Sequence, residues 1–341
     1  MPTSPHTGRI PISPYPNGQY TITWLCASWQ EKLAAKQALD ENHGRAQKTA
    51  GRYNIDDFTL GSMGKHKVVI ISIEILHSTA TRPDEKLKNL RTMFPNIRLI
   101  LSVGVASGLP VSDELLNTRD VRLGDIVVGY NRQDPGRSVV RHEDYGDYET
   151  TAVFTPPPRL LRTALKRLCL DPESSTDPNQ GTKTWWARNP DHRSRWLEGL
   201  TDTPDPYTDR HPDLDSHIWI QEGGGQYTSL AQRPKRATKH PAIHQATIGT
   251  SYGLYTTHME RVGIQFHQPS FAALDTGLRA VGTYWPLLAI RGIYNYADGK
   301  SERDWVQYAA WNAAFLARIV LDSISVTDVL KEPALAQVRV P

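Results

Sequence analysis

Strand-length apolar runs alternate with helical segments along this chain, and that alternation restricts the folds open to it. Residues 21–27 and 68–75 are almost continuously apolar and rich in β-forming side chains, whereas 29–39 and 84–93 have helical spacing. Apolar runs this continuous are typical of strands that are covered on both faces of a sheet. The pattern therefore predicts a single α/β domain built around a largely parallel or mixed sheet.

The same alternation continues toward the C-terminus. It predicts strands at 97–105, 122–130, 246–250 and 287–294, and helices at 160–170 and 305–321. The small residues Ala106, Ser107 and Gly108 predict a turn directly after the strand at 97–105. These elements follow one another in one α/β order, with no internal repeat.

The segments outside this pattern set the domain boundaries. Residues 1–19 are rich in Pro, Ser and Gly and predict a flexible arm, 20–325 form the predicted domain, and 326–341 a C-terminal tail. Residues 171–216 are proline-rich without apolar periodicity, which predicts a long surface insertion. Three tryptophans in it are expected to clamp the insertion onto the body, to roof a pocket or to build an oligomer contact; they are Trp185, Trp186 and Trp196.

Composition and charge exclude several functional classes. The 39 Lys and Arg residues nearly balance 36 Asp and Glu, for a formal net charge of +3, which argues against a dedicated nucleic-acid binder. No apolar run approaches the roughly 18 residues that a membrane span requires, and residues 1–19 lack the apolar core of a secretory signal. Cys26 and Cys169 are too few for a disulfide framework, so reduced, buried thiols and a cytoplasmic location are expected.

Polar residues that follow the predicted strands are the candidates for chemistry, because ligands of α/β sheets bind beyond the carboxyl ends of the strands. They lie in 28–31, 104–108, 249–255 and 295–299. Each also has a structural explanation: Glu31 suits the first turn of a helix, Asp298 suits an N-cap, and the Gly-rich turn is too loose for a phosphate-binding fingerprint. Asp275 lies in an apolar segment and needs a partner if it is buried.

Metal-binding and nucleophile motifs do not stand out. His240 and His244 are separated by Pro241 and have no third ligand in the sequence around them. There is no HExxH or paired CxxC. We therefore expect no metal or cofactor, and the residues by themselves predict a polar pocket without naming a reaction.

An ordered set of motifs covering most of residues 20–322 resembles the nucleoside phosphorylase superfamily, and its fungal branch most of all. The resemblance implies a twisted, mixed β-sheet that partly closes into a barrel and is flanked by helices. It also implies cleavage of the N-glycosidic bond of a nucleoside, by phosphate or by water. The matching segments are YTITWLCASWQEKLAAKQALDE (20–41), FTLGSMGKHKVVI (58–70), FPNIRLILSVGVASGLP (94–110), DVRLGDIVVGY (120–130), DYG (144–146), PAIHQATIGTSYG (241–253), LLAIRGIYNYADGKSERDW (287–305) and YAAWNAAFLARIVL (308–321).

The resemblance also assigns roles, with departures from the family pattern. Asn295 stands where the family has the aspartate that serves the leaving base, and an amide can hydrogen-bond a 6-oxopurine but cannot protonate it. Asp275 stands where the family has a ribose-binding glutamate. Ser102 and Val105 replace the Arg and Ser/Thr that hold phosphate in phosphorylases. Glu31 matches the water-orienting glutamate of the nucleosidases.

We therefore predict a purine ribonucleoside hydrolase that favours inosine and guanosine, in which Asn295 holds the base, Asp275 holds the ribose hydroxyls and Glu31 positions water. The resemblance implies a homo-oligomer whose partner is a small nucleoside. Alternatives are a phosphorylase with an anion site rebuilt from Arg233, Lys235 or Arg236, a member that binds without cleaving or serves biosynthesis, and nucleotide cleavage in immunity-type signalling. Further residues expected to contact the substrate are Val105, Ala106, Ser107, Ser251, Leu254, Tyr255 and Leu274.

Overall fold

The computed structural model describes residues 11–47, 58–73, 83–110, 120–131, 133–143, 146–169, 217–221, 227–232, 241–251, 253, 258–297 and 303–339. Several sequence predictions lie outside the described residues, namely the insertion 171–216 with its tryptophans, Leu254, Tyr255, Arg233, Lys235, Arg236, His240 and Asp298.

The described residues form thirteen strands and six α-helices. The strands are β1 (Ile22–Cys26), β2 (Glu41–Gly44), β3 (Phe58–Met63), β4 (His66–Ser72), β5 (Leu99–Gly108), β6 (Ile126–Gly129), β7 (Val139–His142), β8 (Thr150–Val153), β9 (His217–Gln221), β10 (Tyr227–Gln232), β11 (Ile243–Thr250), β12 (Phe271–Asp275) and β13 (Leu287–Asn295). The helices are α1 (Trp29–Gln37), α2 (Pro83–Met93), α3 (Arg159–Cys169), α4 (His258–His267), α5 (Arg303–Asp322) and α6 (Val326–Lys331).

Eleven of these strands form one mixed sheet, and part of it closes on itself. Strand β5 pairs with β13, β13 with β6, β6 with β11, β11 with β12, and β12 returns to β5. From this ring, β1, β4, β3 and β2 extend outward beside β5, and β7 and β8 extend beside β11. The architecture confirms the predicted α/β domain with a partly barrel-like sheet flanked by helices.

The helices cover both faces of the sheet. Buried alanines of α1 and the apolar face of α5 pack with one set of strand side chains, whereas Leu87, Leu90 and Met93 of α2 pack on the opposite face. Helix α5 lies directly on β13, because a Cβ added at Gly292 would overlap the backbone carbonyl of Ala309. This close approach holds β13, and everything at its carboxyl end, in a defined position.

Two sequence predictions about the strands need correction. Only Ile126–Gly129 of the predicted strand 122–130 is extended, because the Arg122 N–H donates to the Asp125 carboxylate at 2.8 Å and folds the chain into a turn. The predicted turn at 106–108 is wrong: β5 continues to Gly108 because β13 and β12 pair with these residues. The hairpin of β9 and β10, a separate two-stranded sheet, was not predicted.

The described parts of the predicted arm and tail are packed against the domain. The Ser13 N–H donates to the Arg45 carbonyl at 2.9 Å, and Asn17 exchanges hydrogen bonds with the backbone of Gln47. In the tail, α6 begins at a Ser325 cap, and Leu335 is buried. Neither segment behaves, over these residues, as a loose extension of the predicted domain.

Two smaller findings bear on the exclusions drawn from composition. Cys26 is a buried free thiol, as predicted, and burial raises its pKa well above the usual range. The side chain of Cys169 is outside the described residues. Among the helices that the structure describes, none has the length and apolar character that crossing a bilayer requires.

Candidate active site

Glu31 is a buried carboxylate held at the carboxyl ends of β1 and β5. Helix α1 begins directly after β1, where Ser28 caps it by accepting from the Glu31 N–H, and this places Glu31 in the first turn. Its Oε2 accepts from the Ala27 N–H at 2.5 Å and its Oε1 from the Val105 N–H at 3.0 Å. Among the described residues, these two backbone groups are its hydrogen-bond donors, so each oxygen retains acceptor capacity.

Strand β5, which lies beside Glu31, requires a glycine at position 104. A Cβ added at Gly104 would overlap the Glu31 carboxylate. Because Gly104 has no side chain, it leaves the space in which the Glu31 carboxylate accepts a hydrogen bond from the Val105 N–H. The sequence analysis placed Gly104 in the candidate segment 104–108 without assigning it a role, although it is the only glycine inside the apolar run 97–105.

Asp275 is buried at the end of β12 and pairs with Arg291 of β13. Arg291 Nε donates to Asp275 Oδ1 at 3.0 Å and Nη2 donates to Oδ2 at 3.3 Å. The backbone N–H groups of Gly277 and Leu278 donate to the same two oxygens, at 3.0 and 2.9 Å. The expectation that a buried Asp275 needs a partner is confirmed, and the four acceptor positions of the carboxylate are all occupied.

Arg291 uses its whole guanidinium inside this cluster. Besides the two bonds to Asp275, it donates to the carbonyls of Ser102 and Ile290, at 2.6 and 3.1 Å, and to the Ser102 hydroxyl at 2.8 Å. These five bonds account for the five N–H donors of an arginine. The sequence analysis did not single out Arg291, although a lone cation in the buried run 287–294 is a signal that could have found it.

The cluster of Glu31, Asp275 and Arg291 carries two carboxylates and one cation, so its net charge is negative when Glu31 is ionised. Burial raises the pKa of Glu31, and Asp275 adds to that effect. The opposing influences of Arg291 and of the two backbone N–H groups lower the pKa without cancelling the effect of burial. The result is a carboxylate that is easier to protonate than an ordinary glutamate.

Asn295 lies farther along the same edge, at the end of β13. It pairs with Ser107 of β5, four residues beyond Arg291, which pairs with Gly104. Its Oδ1 accepts from the Ala297 N–H at 3.4 Å across a tight turn. Ala297 has a φ of 53°, a left-handed conformation uncommon for a residue with a side chain.

The other predicted contact residues divide into three groups. Val105, Ala106 and Ser107 lie at the end of β5, beside Glu31 and Asn295, and Leu274 immediately precedes Asp275 and pairs with Ser107. Ser251 follows β11, is buried, and donates to the Gly253 carbonyl at 3.4 Å. Leu254 and Tyr255 lie outside the described residues.

His244 has a structural role in the described part of the chain. Its Nε2 lies 2.9 Å from Oδ2 of the fully buried Asp125, which also accepts from the Ala242 N–H at 2.8 Å. Within the described ranges, no group of three His, Cys, Asp or Glu side chains is arranged to hold a metal ion.

No family model matches the chain. The chain is similar to a nucleotide-binding leucine-rich repeat (NLR)-like protein of Hyaloscypha variabilis, with 27% identity over 333 residues, or 95% of this chain. It spans 31% of the length of that relative.

Solved structures extend the comparison to the fold. The futalosine hydrolase of Helicobacter pylori matches with a TM-score of 0.50 and 12% identity, over 90% of this chain and 99% of the hydrolase. The 5′-methylthioadenosine/S-adenosylhomocysteine nucleosidase of H. pylori matches with the same TM-score and identity, over 90% of this chain and 100% of that one. The corresponding nucleosidase of S. pneumoniae matches with a TM-score of 0.50 and 12% identity, over 89% and 100%. The chain therefore has the fold of these nucleosidases.

Proposed function

We propose that this chain is a nucleoside N-glycosidase that uses water as its nucleophile. The observation that carries the proposal is the state of Glu31: a buried carboxylate, fixed by two backbone N–H groups, with acceptor capacity left on both oxygens. A carboxylate in this state can hold a water molecule and take its proton as the water attacks C1′ of a ribose. The solved structures with the same fold support this proposal, since they are a nucleosidase and a futalosine hydrolase.

The bonding of Arg291 favours hydrolysis over phosphorolysis. A phosphate nucleophile needs donors, and arginine is the side chain that binds it with two parallel N–H groups. All five donors of Arg291 are already bonded to Asp275, Ser102 and Ile290. An ionised Glu31 beside it would repel a phosphate dianion, whereas it would attract the protons of water.

Asp275 is proposed to bind a ribose hydroxyl in place of one of its present hydrogen bonds. Its acceptor positions are full, and the bond to Arg291 Nη2, at 3.3 Å, is the longest of the four. A ribose hydroxyl that donates to Oδ2 would replace this bond while the shorter bonds keep the carboxylate in place. Ribose binding would then loosen Arg291 only at Nη2, which still bonds to the Ser102 hydroxyl.

The base is proposed to lie toward Asn295, Ser107 and Val105. On β5, Gly104 and Ser107 are three residues apart, which corresponds to about 10 Å along a strand. The sugar then lies near Glu31 and Asp275 and the base near Asn295. An amide can donate to a ring nitrogen or to a 6-oxo group, so we propose a preference for inosine and guanosine over adenosine.

Product analysis tests this function. The purified chain is incubated with inosine, guanosine, adenosine and uridine, each with and without phosphate, and free base and sugar are quantified by chromatography. We expect base and free ribose in the absence of phosphate, with inosine and guanosine cleaved fastest. Release only with phosphate, as ribose 1-phosphate, contradicts hydrolysis, and no release from any substrate contradicts N-glycosidase activity and favours a member that binds without cleaving.

A further inference from the structure

The role proposed for Glu31 does not explain how the departing base is stabilised. When the C1′–N bond breaks, its electron pair goes to the base, and a purine leaves far more readily if a proton or strong hydrogen bond reaches it at that moment. Asn295 and Ser107 are much weaker acids than a phenol, because an amide anion and an alkoxide are far less stable than a phenolate. A phenol side chain lies near these two residues.

That side chain is Tyr294, and a break in strand pairing positions it. The register of β13 against β5 shifts between Ile293, which pairs with Ala106, and Asn295, which pairs with Ser107. Tyr294 is therefore the extra residue of a β-bulge, a device that redirects a side chain at the end of a strand. Its partly buried ring packs against the core, and its hydroxyl lies near the side chains of Ser107 and Asn295.

We propose that Tyr294 is the acid that serves the leaving base, with Asn295 and Ser107 as the residues that position its hydroxyl. This inference rests on the proposed function. In the reaction, water adds its oxygen to C1′ and gives a proton to Glu31, the C1′–N bond breaks, and the Tyr294 hydroxyl passes its proton to a ring nitrogen of the base. Glu31 then loses its proton to solvent, the phenolate regains one, and the balance is nucleoside plus water to base plus ribose.

The protonation state of Tyr294 supports this role. Burial raises the pKa of its hydroxyl above the usual 10, and the negative charges of Glu31 and Asp275 add to that rise against the hydrogen bonds from Asn295 and Ser107. The hydroxyl therefore carries its proton at neutral pH, which is the state that a proton donor to the leaving base requires.

The leaving group of the substrate provides the test. Tyr294→Phe is assayed with the nucleoside that the wild-type chain cleaves best and with 4-nitrophenyl β-D-ribofuranoside, whose leaving group departs as a stable anion. We expect kcat for the nucleoside to fall about 100-fold or more, and kcat for the nitrophenyl riboside to change by less than about threefold, since it needs no proton. The double variant Tyr294→Phe, Asn295→Asp, which returns an acid to the site, is expected to regain nucleoside cleavage.

Tyr20→Phe is the matched control. It removes the same atom from a buried tyrosine just before β1, at the end of that strand opposite Glu31, where the hydroxyl contacts Ser13 and His43; we expect both substrates to be cleaved as by the wild type. Equal losses on both substrates in Tyr294→Phe, or no loss on the nucleoside, overturn the inference while leaving the proposed function intact. A nucleoside-selective loss in Asp298→Asn instead of Tyr294→Phe also overturns it. A wild-type chain that cleaves neither substrate overturns the proposed function and this inference together.

Discussion

At the scale of single residues, the candidate site depends on how fully each polar atom is satisfied. Arg291 and Asp275 form a closed unit in which every donor and every acceptor position has a partner. Two backbone hydrogen bonds fix the Glu31 carboxylate, and its two oxygens can accept further hydrogen bonds from water. The chemistry we assign follows from this difference between two buried carboxylates a short distance apart.

A side chain at position 104 of the neighbouring strand β5 would occupy the space that holds the Glu31 carboxylate. Gly104→Ala adds a Cβ where the carboxylate lies, so Glu31 must leave its place beside the Val105 N–H. We expect kcat for nucleoside hydrolysis to fall about 100-fold, within the range that general base catalysis contributes. Gly18→Ala is the control, since its Cβ meets only the Asn96 side-chain nitrogen at 3.5 Å. Full activity in a folded Gly104→Ala chain would show that Glu31 does not activate water from its position beside the Val105 N–H.

At the scale of elements, apolar periodicity predicted what depends on local sequence and missed what depends on pairing. The predictions for β1, α1, α2 and α5 agree with the structure to within a few residues. Strand β12 was not predicted, and β5 was ended too early, because both are extended through contacts with distant strands. Among the site residues, the resemblance pointed to Glu31 and Asp275, whereas the closed bonding of Arg291 and the bulge at Tyr294 exist only once β13 lies beside β5.

The contact between α5 and β13 gives a prediction at this scale. Gly292→Ala would press a methyl group into the Ala309 carbonyl, so the helix must move away from the strand. We expect the free energy of unfolding to fall by about 1–3 kcal/mol, the usual effect of overpacking a core, as measured by denaturant unfolding beside Gly18→Ala. An unchanged free energy of unfolding would mean that α5 does not lie as closely on β13 as described.

At the scale of the whole molecule, the closed ring of β5, β13, β6, β11 and β12 gathers the site from segments far apart in sequence. Glu31 enters from the end of β1, Asp275 from β12, and Arg291, Tyr294 and Asn295 from β13. The order of the matching motifs along the sequence suggests this fold by resemblance, but the distances between their side chains follow from ring closure. In the proposed function, one end of this site takes the base and the other end takes the sugar and water.

The pH dependence of kcat/KM for nucleoside hydrolysis, measured for the wild-type chain and for Glu31→Gln, tests the central claim that Glu31 activates water. A base works when ionised, so the wild-type rate should rise with pH through a pKa above that of an ordinary glutamate, because burial raises the pKa of Glu31. Glu31→Gln should lower kcat/KM about 10²- to 10⁴-fold and abolish this rise. A Glu31→Gln chain that retains both the rate and the rise with pH would contradict the account.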